Sequence, residues 1–450
     1  MKTSTPIQNP SDFFGALQQQ FPVILAKLQG LDAEALARQS GFLKRCPRKI
    51  PMPCFLKALL ALASETHLSL EQIASVIALA ANTTYSKQAL SQRLSQQIEP
   101  FLARVIAALF GQLDPCVCTS QALASFQRVL VQDSTTESLP KRLAKFFPGS
   151  GNQHGQDYAA FKIQWICDLK SGAAEQVSLS GFTRNDQAAA PDILPVARPG
   201  DLVLRDLGYL VTAVLAQLVE QRIGFLTRHR HGVGIYDPQS GEPLNLPQLL
   251  RTLGRLDRHV LVGPERVPVR LVGLPVPEEV ANLRRHRAKS SAQRRHRSAP
   301  GREHLFLMGW NLFLTNVPIS IWSPKTLVAV YRLRWRIEIV FKTWKSHLGL
   351  LELNCRSPAL LRLSVMTKLL FCATVCQICE ALELNCTADE HVSLLRLAHI
   401  LGQAACWFSA AVMGISVSQW LEFRLVHQAL YEQRKDRKNY YELLSLAGNS

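Results

Sequence analysis

The sequence predicts an α/β protein: a mixed-sheet core interrupted by a β-rich insertion, with an all-α region before it and a helical region after it. Three observations predict this. Short β-branched runs alternate with helical stretches between about residues 121 and 361, no strand pattern is evident over residues 1–120, and the segment 362–450 is apolar at helical spacing. At 450 residues and 47% hydrophobic content the chain is long enough for two or three domains with real cores.

Residues 1–120 read as helices joined by short polar turns, with PRKIPMP between the first groups. SLEQIASVIAL, AANTTY and SKQALSQRLSQQI have the proportions of two helices around a turn, the second beginning at Ser86 and carrying Gln88, Ser91, Gln92 and Arg93. That resembles a helix-turn-helix for DNA recognition, and an ordinary helical hairpin has the same pattern.

The first part of the core, 121–231, opens with RVLVQDSTT, a β-branched strand expected to end on Asp133. After the loop PGSGNQHGQD, AAFKIQWICDL and AEQVSLSGF read as an antiparallel meander around the turn KSGA. A short helix is expected near Asp192. ARPGDLVLRDLGYLV then gives a buried strand ending on Asp206, followed by Gly208, a helical run from Tyr209 to Gln221 and a further strand, IGFLTRHR.

Residues 232–310 break this rhythm and read as an insertion, with strands at RHVLVG and VPVRLVGLPV. RRHRAKSSAQRRHRS places Arg284, Arg285, Arg287, Lys289, Arg294, Arg295 and Arg297 together with no acid among them. Such a run is either a solvated, mobile stretch or a grip on phosphate, and the overall charge favours the grip. LFLMGWNLFLTNVP returns the chain to the sheet as a strand or hairpin, opening the second part of the core, 311–361.

SPKTLVAVYRLRWRIEIVFKTWKSHLG, Ser323 to Gly349, predicts one long helix with Ser323 as N-cap, Pro324 in the first turn and Gly349 as stop. Leu333, Ile337, Val340, Phe341, Trp344 and Leu348 form its core face, and Tyr331, Arg334, Glu338 and Lys345 fall in a second stripe about 60° wide. Glu338 is either a solvated acid satisfied by Arg334 and Lys342, or a metal ligand among phosphate-binding groups. The second reading requires partner carboxylates elsewhere.

Residues 362–450 read as helices ending in the basic aromatic stretch YEQRKDRKNYY. Val365–Leu384 and Leu401–Leu421 are long enough to test as membrane spans, but charged and polar residues interrupt both and point to buried helices. Cys372, Cys376 and Cys379, with Cys386 nearby, have the spacing of some iron–sulfur enzymes. Their apolar helical context argues instead for core thiols, because a cluster needs a loop that converges three thiolates.

Composition narrows the function further. A formal charge of +17 and pI near 9.6 point to a polyanionic partner, nucleic acid being the commoner case. The polar start, Met1 to Asp12, and the scattered eleven cysteines argue against a secretory signal or a disulfide framework, which suggests a cytoplasmic protein.

Asp133, Asp206 and Glu338 are then three carboxylates, at two expected strand ends and on one helix. Such a set suits hard divalent cations, which take oxygen ligands and keep waters, and two such ions can drive an in-line displacement at phosphorus.

These residues resemble the DDE transposases of bacterial insertion sequences, of the type with a Y-(2)-R-(3)-E-(6)-K signature. Tyr331, Arg334, Glu338 and Lys345 match that spacing at every position, and VLVQDST and LRDLGY resemble the contexts of the first two acids. The resemblance covers about Val129 to Leu361 and implies an RNase H-like core with a β-rich insertion before the last acid. It implies Asp133, Asp206 and Glu338 as ligands of two Mg2+ ions, with Mn2+ substituting, and Tyr331, Arg334 and Lys345 as contacts to phosphates near the cleaved end. Some relatives hold a flipped base with a tryptophan from the insertion, a role for which Trp310 and Trp322 are candidates, although packing against the sheet is the commoner job for either. Double-stranded DNA as partner, a homodimer joining two ends, and no membrane association complete the expectation, with the protein in the bacterial cytoplasm at the nucleoid. A nuclease without strand transfer and a non-catalytic DNA-binding derivative remain the alternatives, the latter predicting loss of an acid that is not seen.

Overall fold

In the computed structural model, the described residues are 19, 22–23, 25–27, 29–44, 50–65, 68–83, 85–95, 97–110, 121–149, 158–294, 296, 298–347, 357–383 and 392–429. The expected contributions of Arg295, Arg297, Leu348, Gly349, Cys386 and the stretch 431–441 fall outside them.

Ahead of the sheet, the described residues form α1 (Ala33–Gln39), α2 (Met52–Ala61), α3 (Leu70–Ala81), α4 (Lys87–Arg93) and α5 (Ile98–Phe110). Local chemistry sets their ends. Ser69 and Gln72 close a reciprocal capping box on α3, Asn82 ends it in the left-handed conformation, and Ser86 caps α4.

The chain then enters β1 (Val129–Leu139), β2 (Ala159–Asp168) and β3 (Ala174–Gly181), an antiparallel meander as expected. The short helix α6 (Asp186–Ala189) follows, running on into a 3-10 turn over Ala190–Ile193. Next come β4 (Leu202–Arg205), α7 (Thr212–Glu220) and β5 (Gly224–Arg228). β4 lies parallel to both β1 and β5.

One expectation about β1 is corrected. The strand does not stop at Asp133; it continues pairing with β2 to Leu139↔Ala159. What does stop is its other neighbour, since β4 pairs with β1 only as far as Gln132↔Arg205. Asp133 and Asp206 therefore sit where the parallel partner ends and a notch opens in the sheet. The β-branched and hydroxyl residues after Asp133 suit an extended chain, so composition gave no sign of an end or of a continuation.

The insertion contributes β6 (Ile235–Tyr236), α8 (Leu246–Leu253), β7 (Leu256–Val262), β8 (Val267–Pro275), α9 (Glu278–Arg294) and α10 (Arg302–Leu307), before β9 (Trp310–Thr315). Its strands extend the same sheet, which has nine strands in the order β3-β2-β1-β4-β5-β9-β8-β7-β6. The described part of the basic run, as far as Arg294, lies in helix α9. One expectation changes here: the LFL expected at the start of a strand lies in α10, begun by Gly301.

The long helix is two helices, α11 (Pro324–Arg332) and α12 (Trp335–His347). At the junction Leu333, Arg334, Arg336 and Ile337 donate backbone bonds three residues back, to Val330, Tyr331, Leu333 and Arg334. This tightened turn rotates one half against the other. Leu333 is consequently 40% exposed, while Ile337, Phe341 and Trp344 are buried.

The chain then forms α13 (Pro358–Glu383), α14 (Leu394–Gln403), α15 (Ala405–Met413) and α16 (Val417–Ala429). α13 is long and apolar enough to cross a membrane, yet 78% of its most apolar window is buried inside the fold. Cys372 is buried and Cys376 and Cys379 half-buried along this continuous helix. The second apolar stretch is broken at Gly414, which takes a left-handed φ of 73° between α15 and α16.

Alternation along the central strands builds two cores. Leu202 and Leu204 face α5, α12 and α13 with Val131, Trp165 and Trp344, while Val203 faces the side of α7 with Leu130, Phe225 and Leu218. The helices of the two chain ends interlock: Gln377 Nε2 donates to Leu109 O (2.6 Å), Ser409 Oγ to Ala61 O (2.6 Å), and Arg424 pairs with Glu65. Glu99 of α5 accepts from Leu179 N of β3 (2.8 Å) and pairs with Arg362 of α13.

Candidate active site

The notch between β1 and β4 collects the charged stripe of α11 and α12. Asp133 and Asp206 point toward these helices from adjacent strands, and Tyr331 Oη donates to Asp206 Oδ1 at 3.4 Å. Arg334, at the helix junction, reaches both remaining acids: Nη1 lies 3.3 Å from Asp133 Oδ2, and Nη2 lies 2.5 Å from Glu338 Oε1. The tightened turn is what brings this guanidinium inward, to 9% exposure.

The electrostatics are those of partly buried acids gathered around one cation. Burial pushes the Asp133 carboxyl up to about 6; Ser134 N–H and Arg334 oppose this, and the charges of Asp206 and Glu338 add to it. Burial and then Asp206 push the Tyr331 phenol up to about 12, so it stays a neutral donor. Burial alone would weaken the Arg334 cation, but Tyr331, Asp206, Glu338 and Asp133 together hold it firmly protonated. Its Nε is buried without a hydrogen-bond acceptor. As placed, no three acid, histidine or cysteine side chains among the described residues are close enough to share an ion. The guanidinium occupies the space between them.

Lys345 does not point at free solvent. Its Nζ donates to Thr136 O (3.0 Å) and pairs with Glu137 Oε1 (2.5 Å), a carboxylate only 5% exposed. Burial raises Glu137, and Lys345 opposes that. The continuation of β1 past Asp133 supplies this acid.

A matching family model, the transposase DDE domain, covers residues 124–375, which includes Asp133, Asp206 and Glu338. The chain belongs to the DDE transposase family. It is similar to the transposase for insertion sequence element IS231C of Bacillus thuringiensis subsp. berliner, 28% identical over 336 residues that span 70% of each chain. It is also similar to the IS231B transposase of the same organism, again 28% identical over 336 residues and 70% of each chain. Similarity to the transposase for IS1151 of Clostridium perfringens is 24% identity over 304 residues, 62% of this chain and 63% of the relative.

The other residues expected to touch DNA in this transposase are distributed unevenly. Arg284 is committed inward, donating to Trp310 O (3.3 Å) and Asn311 Oδ1 (2.9 Å). Arg285 donates to Leu305 O (3.1 Å), Asn282 Oδ1 (2.9 Å) and Glu278 (2.6 Å). These two arginines fasten α9 to α10 and β9, whereas Arg287, Lys289 and Arg294 are exposed on α9. Trp310 is half-buried at the start of β9 beside Phe306, with ring centroids 6.1 Å apart. Trp322 is fully buried, its Nε1 donating to Ala122 O (2.7 Å) and its ring 5.4 Å from Phe126. Packing is its role. In the N-terminal helices Gln88, Ser91 and Gln92 are exposed on α4, and Arg93 donates to Ile50 O at 3.4 Å.

Sequence reasoning missed four residues at this site. Ser134, Lys162 and Asp186 form a polar cluster behind Asp133, and Glu137 holds Lys345. Only the strand register could have revealed them, because Lys162 meets β1 through the pair Thr136↔Lys162.

Proposed function

We propose that this transposase binds the terminal inverted repeats of its insertion sequence, cleaves DNA there with divalent metal, and joins the freed 3′-OH to target DNA. The observation that carries the reading is the meeting of Asp133, Asp206 and Glu338 around Arg334 in the sheet notch. The strand order β3-β2-β1-β4-β5, antiparallel then parallel, supports an RNase H-like core.

The residues fit Mg2+, with Mn2+ as substitute. All donors are carboxylate oxygens, the ligand type that hard divalent cations prefer, and the three acids gather around one cation in the notch. Asp133, Asp206 and Glu338 would hold the ions, which supply activation of the attacking oxygen and stabilisation of the leaving one. Arg334 must turn away from Asp133 for this, and its natural new partner is a DNA phosphate, which a guanidinium grips bidentately. Tyr331 donates its phenolic proton to a neighbouring oxygen, and Lys345 offers a point charge at the far end of the stripe. Residues 1–120 would recognise the ends, with α3 and α4 as helix-turn-helix, the exposed arginines of α9 would hold the backbone, and two copies would bring two ends together.

Incubating the protein with candidate end DNA, target DNA and Mg2+, then sequencing the products, tests the proposal. Joined 3′ ends are expected from the wild type; hydrolysis without joining selects a nuclease. Glu338→Gln is expected to bind ends as the wild type does and to cut none of them. Cutting at the wild-type rate by that variant would remove Glu338 from the chemistry.

A further inference from the structure

We propose that Asp186 is a positioning residue that sets the spacing of Asp133 and Asp206, acting from behind the sheet. The proposal rests on the reading of those two aspartates as metal ligands.

Gln132, Ser134 and Arg205, each next to one of the acids, turn to the opposite face of the sheet, because side chains alternate along a strand. On that face all of them meet one short segment. Gln132, before Asp133, donates from Nε2 to Ala189 O (2.7 Å), and Ser134, after it, donates from Oγ to Asp186 Oδ1 (2.9 Å). Arg205, before Asp206, donates from Nη1 to Ala190 O (2.8 Å). Gly208, two residues after Asp206 in the turn that follows β4, lies so close that a Cβ there would stand 2.9 Å from Asp186 Oδ2.

Residues 186–190 thus touch both neighbours of Asp133, the residue before Asp206 and the turn after it, and Asp186 reaches the chain beyond each acid. Its Oδ1 also accepts from Lys162 Nζ (2.8 Å), whose side chain is 9% exposed, so the carboxylate is pinned by a nearly buried cation. The chain of contacts ends on a ligand: Ser134 N donates to Asp133 Oδ1 at 2.8 Å. A carboxylate held this way fixes the rotation of the Ser134 peptide and the height of the Gly208 turn together. That is how outer groups tune a metal site without touching the ion.

Asp186 itself keeps 34% of its side chain exposed and sits on a short helix capped independently by Asn185, so replacing it does not open a core. The test measures Mn2+ binding by electron paramagnetic resonance, without DNA, alongside thermal denaturation. Asp186→Ala leaves the nearly buried Lys162 without this partner and so lowers the melting temperature, and at a temperature where it stays folded it is expected to weaken Mn2+ binding about tenfold, within the range for outer-shell groups. Asp186→Asn, which keeps an acceptor for Ser134, is expected to lose less. Gly208→Ala is expected to weaken binding through its clash with Oδ2, and in the Asp186→Ala background to add little further. Wild-type Mn2+ affinity in Asp186→Ala, or losses that simply multiply in the double variant, overturns the proposal. Asp133→Asn separates the two failures. If it abolishes Mn2+ binding while Asp186→Ala does not, the positioning role alone falls; if it leaves binding unchanged, the ligand reading falls and takes the positioning role with it.

Discussion

Asp133 and Arg334 lie 201 residues apart in the chain and meet at 3.3 Å in the notch of the sheet. The guanidinium also holds Glu338 at 2.5 Å, so one cation separates two acids that repel each other. Arg334→Ala leaves the cluster uncompensated and is expected to cost roughly 3 kcal/mol in a metal-free urea titration, by analogy with breaking a buried pair. Added Mg2+ should restore more stability to the variant than it adds to the wild type, because binding to the folded state alone is stabilising. An equal Mg2+ response in both proteins counts against the cation's place between the acids.

Lys345 and Glu137 make a second separation possible, between fold and DNA contact. Burial already raises Glu137, and Lys345 is what opposes it. Lys345→Ala should therefore destabilise by roughly 2 kcal/mol at neutral pH, and Glu137→Gln in the same chain should recover most of that. If the recovered double variant still binds end DNA less tightly than the wild type, the lysine contacts phosphate in the complex. If it binds equally well, Lys345 is only a structural partner of β1.

What the sequence made legible was the part of the site carried by spacing. Tyr331, Arg334, Glu338 and Lys345 recur on one flank whether the helix is continuous or not, and the meander around KSGA and the strands of the insertion were readable from β-branched runs and turn residues. The helix junction was not readable: neither proline nor glycine marks Leu333 or Arg334, and the choice between bonds three and four residues back is made by the packing of Ile337 and Trp344 below. The end of β1 was misplaced for a related reason. Asp133 looks terminal, but it is β4 that ends there, and the length of a neighbour cannot be seen in a strand's own residues. Asp186 was invisible because its meaning lies in register, through Ser134 and Lys162.

The arginines of α9 divide by what they already hold. Arg287 is exposed, so Arg287→Ala is expected to lower the slope of log affinity against log salt by about 1 with little change in stability. Arg284 bonds to Asn311 and to the carbonyl of Trp310, so Arg284→Ala should lower the unfolding midpoint and leave the salt slope nearly unchanged. The reverse pattern would mean that α9 unfastens from β9 when DNA binds.

The two tryptophans divide in the same manner, and the division decides which can hold an extruded base. Trp322 is fully buried with its indole N–H on Ala122 O, so Trp322→Ala should cost about 3–5 kcal/mol and weaken every activity in proportion to the loss of folded protein. Trp310 is half-buried against Phe306 at the edge of the second core, so unlike Trp322 it keeps part of its ring accessible. Stacking a base on an aromatic ring is worth about 1–3 kcal/mol, enough to stabilise an unpaired nucleotide at a cleaved end. Trp310→Ala should therefore cost less stability than Trp322→Ala yet fail to raise the fluorescence of a 2-aminopurine placed next to the cleavage point, which reports unstacking from the duplex. An undiminished signal in Trp310→Ala would leave the extruded base to some other group, since Trp322 has no free face to offer it.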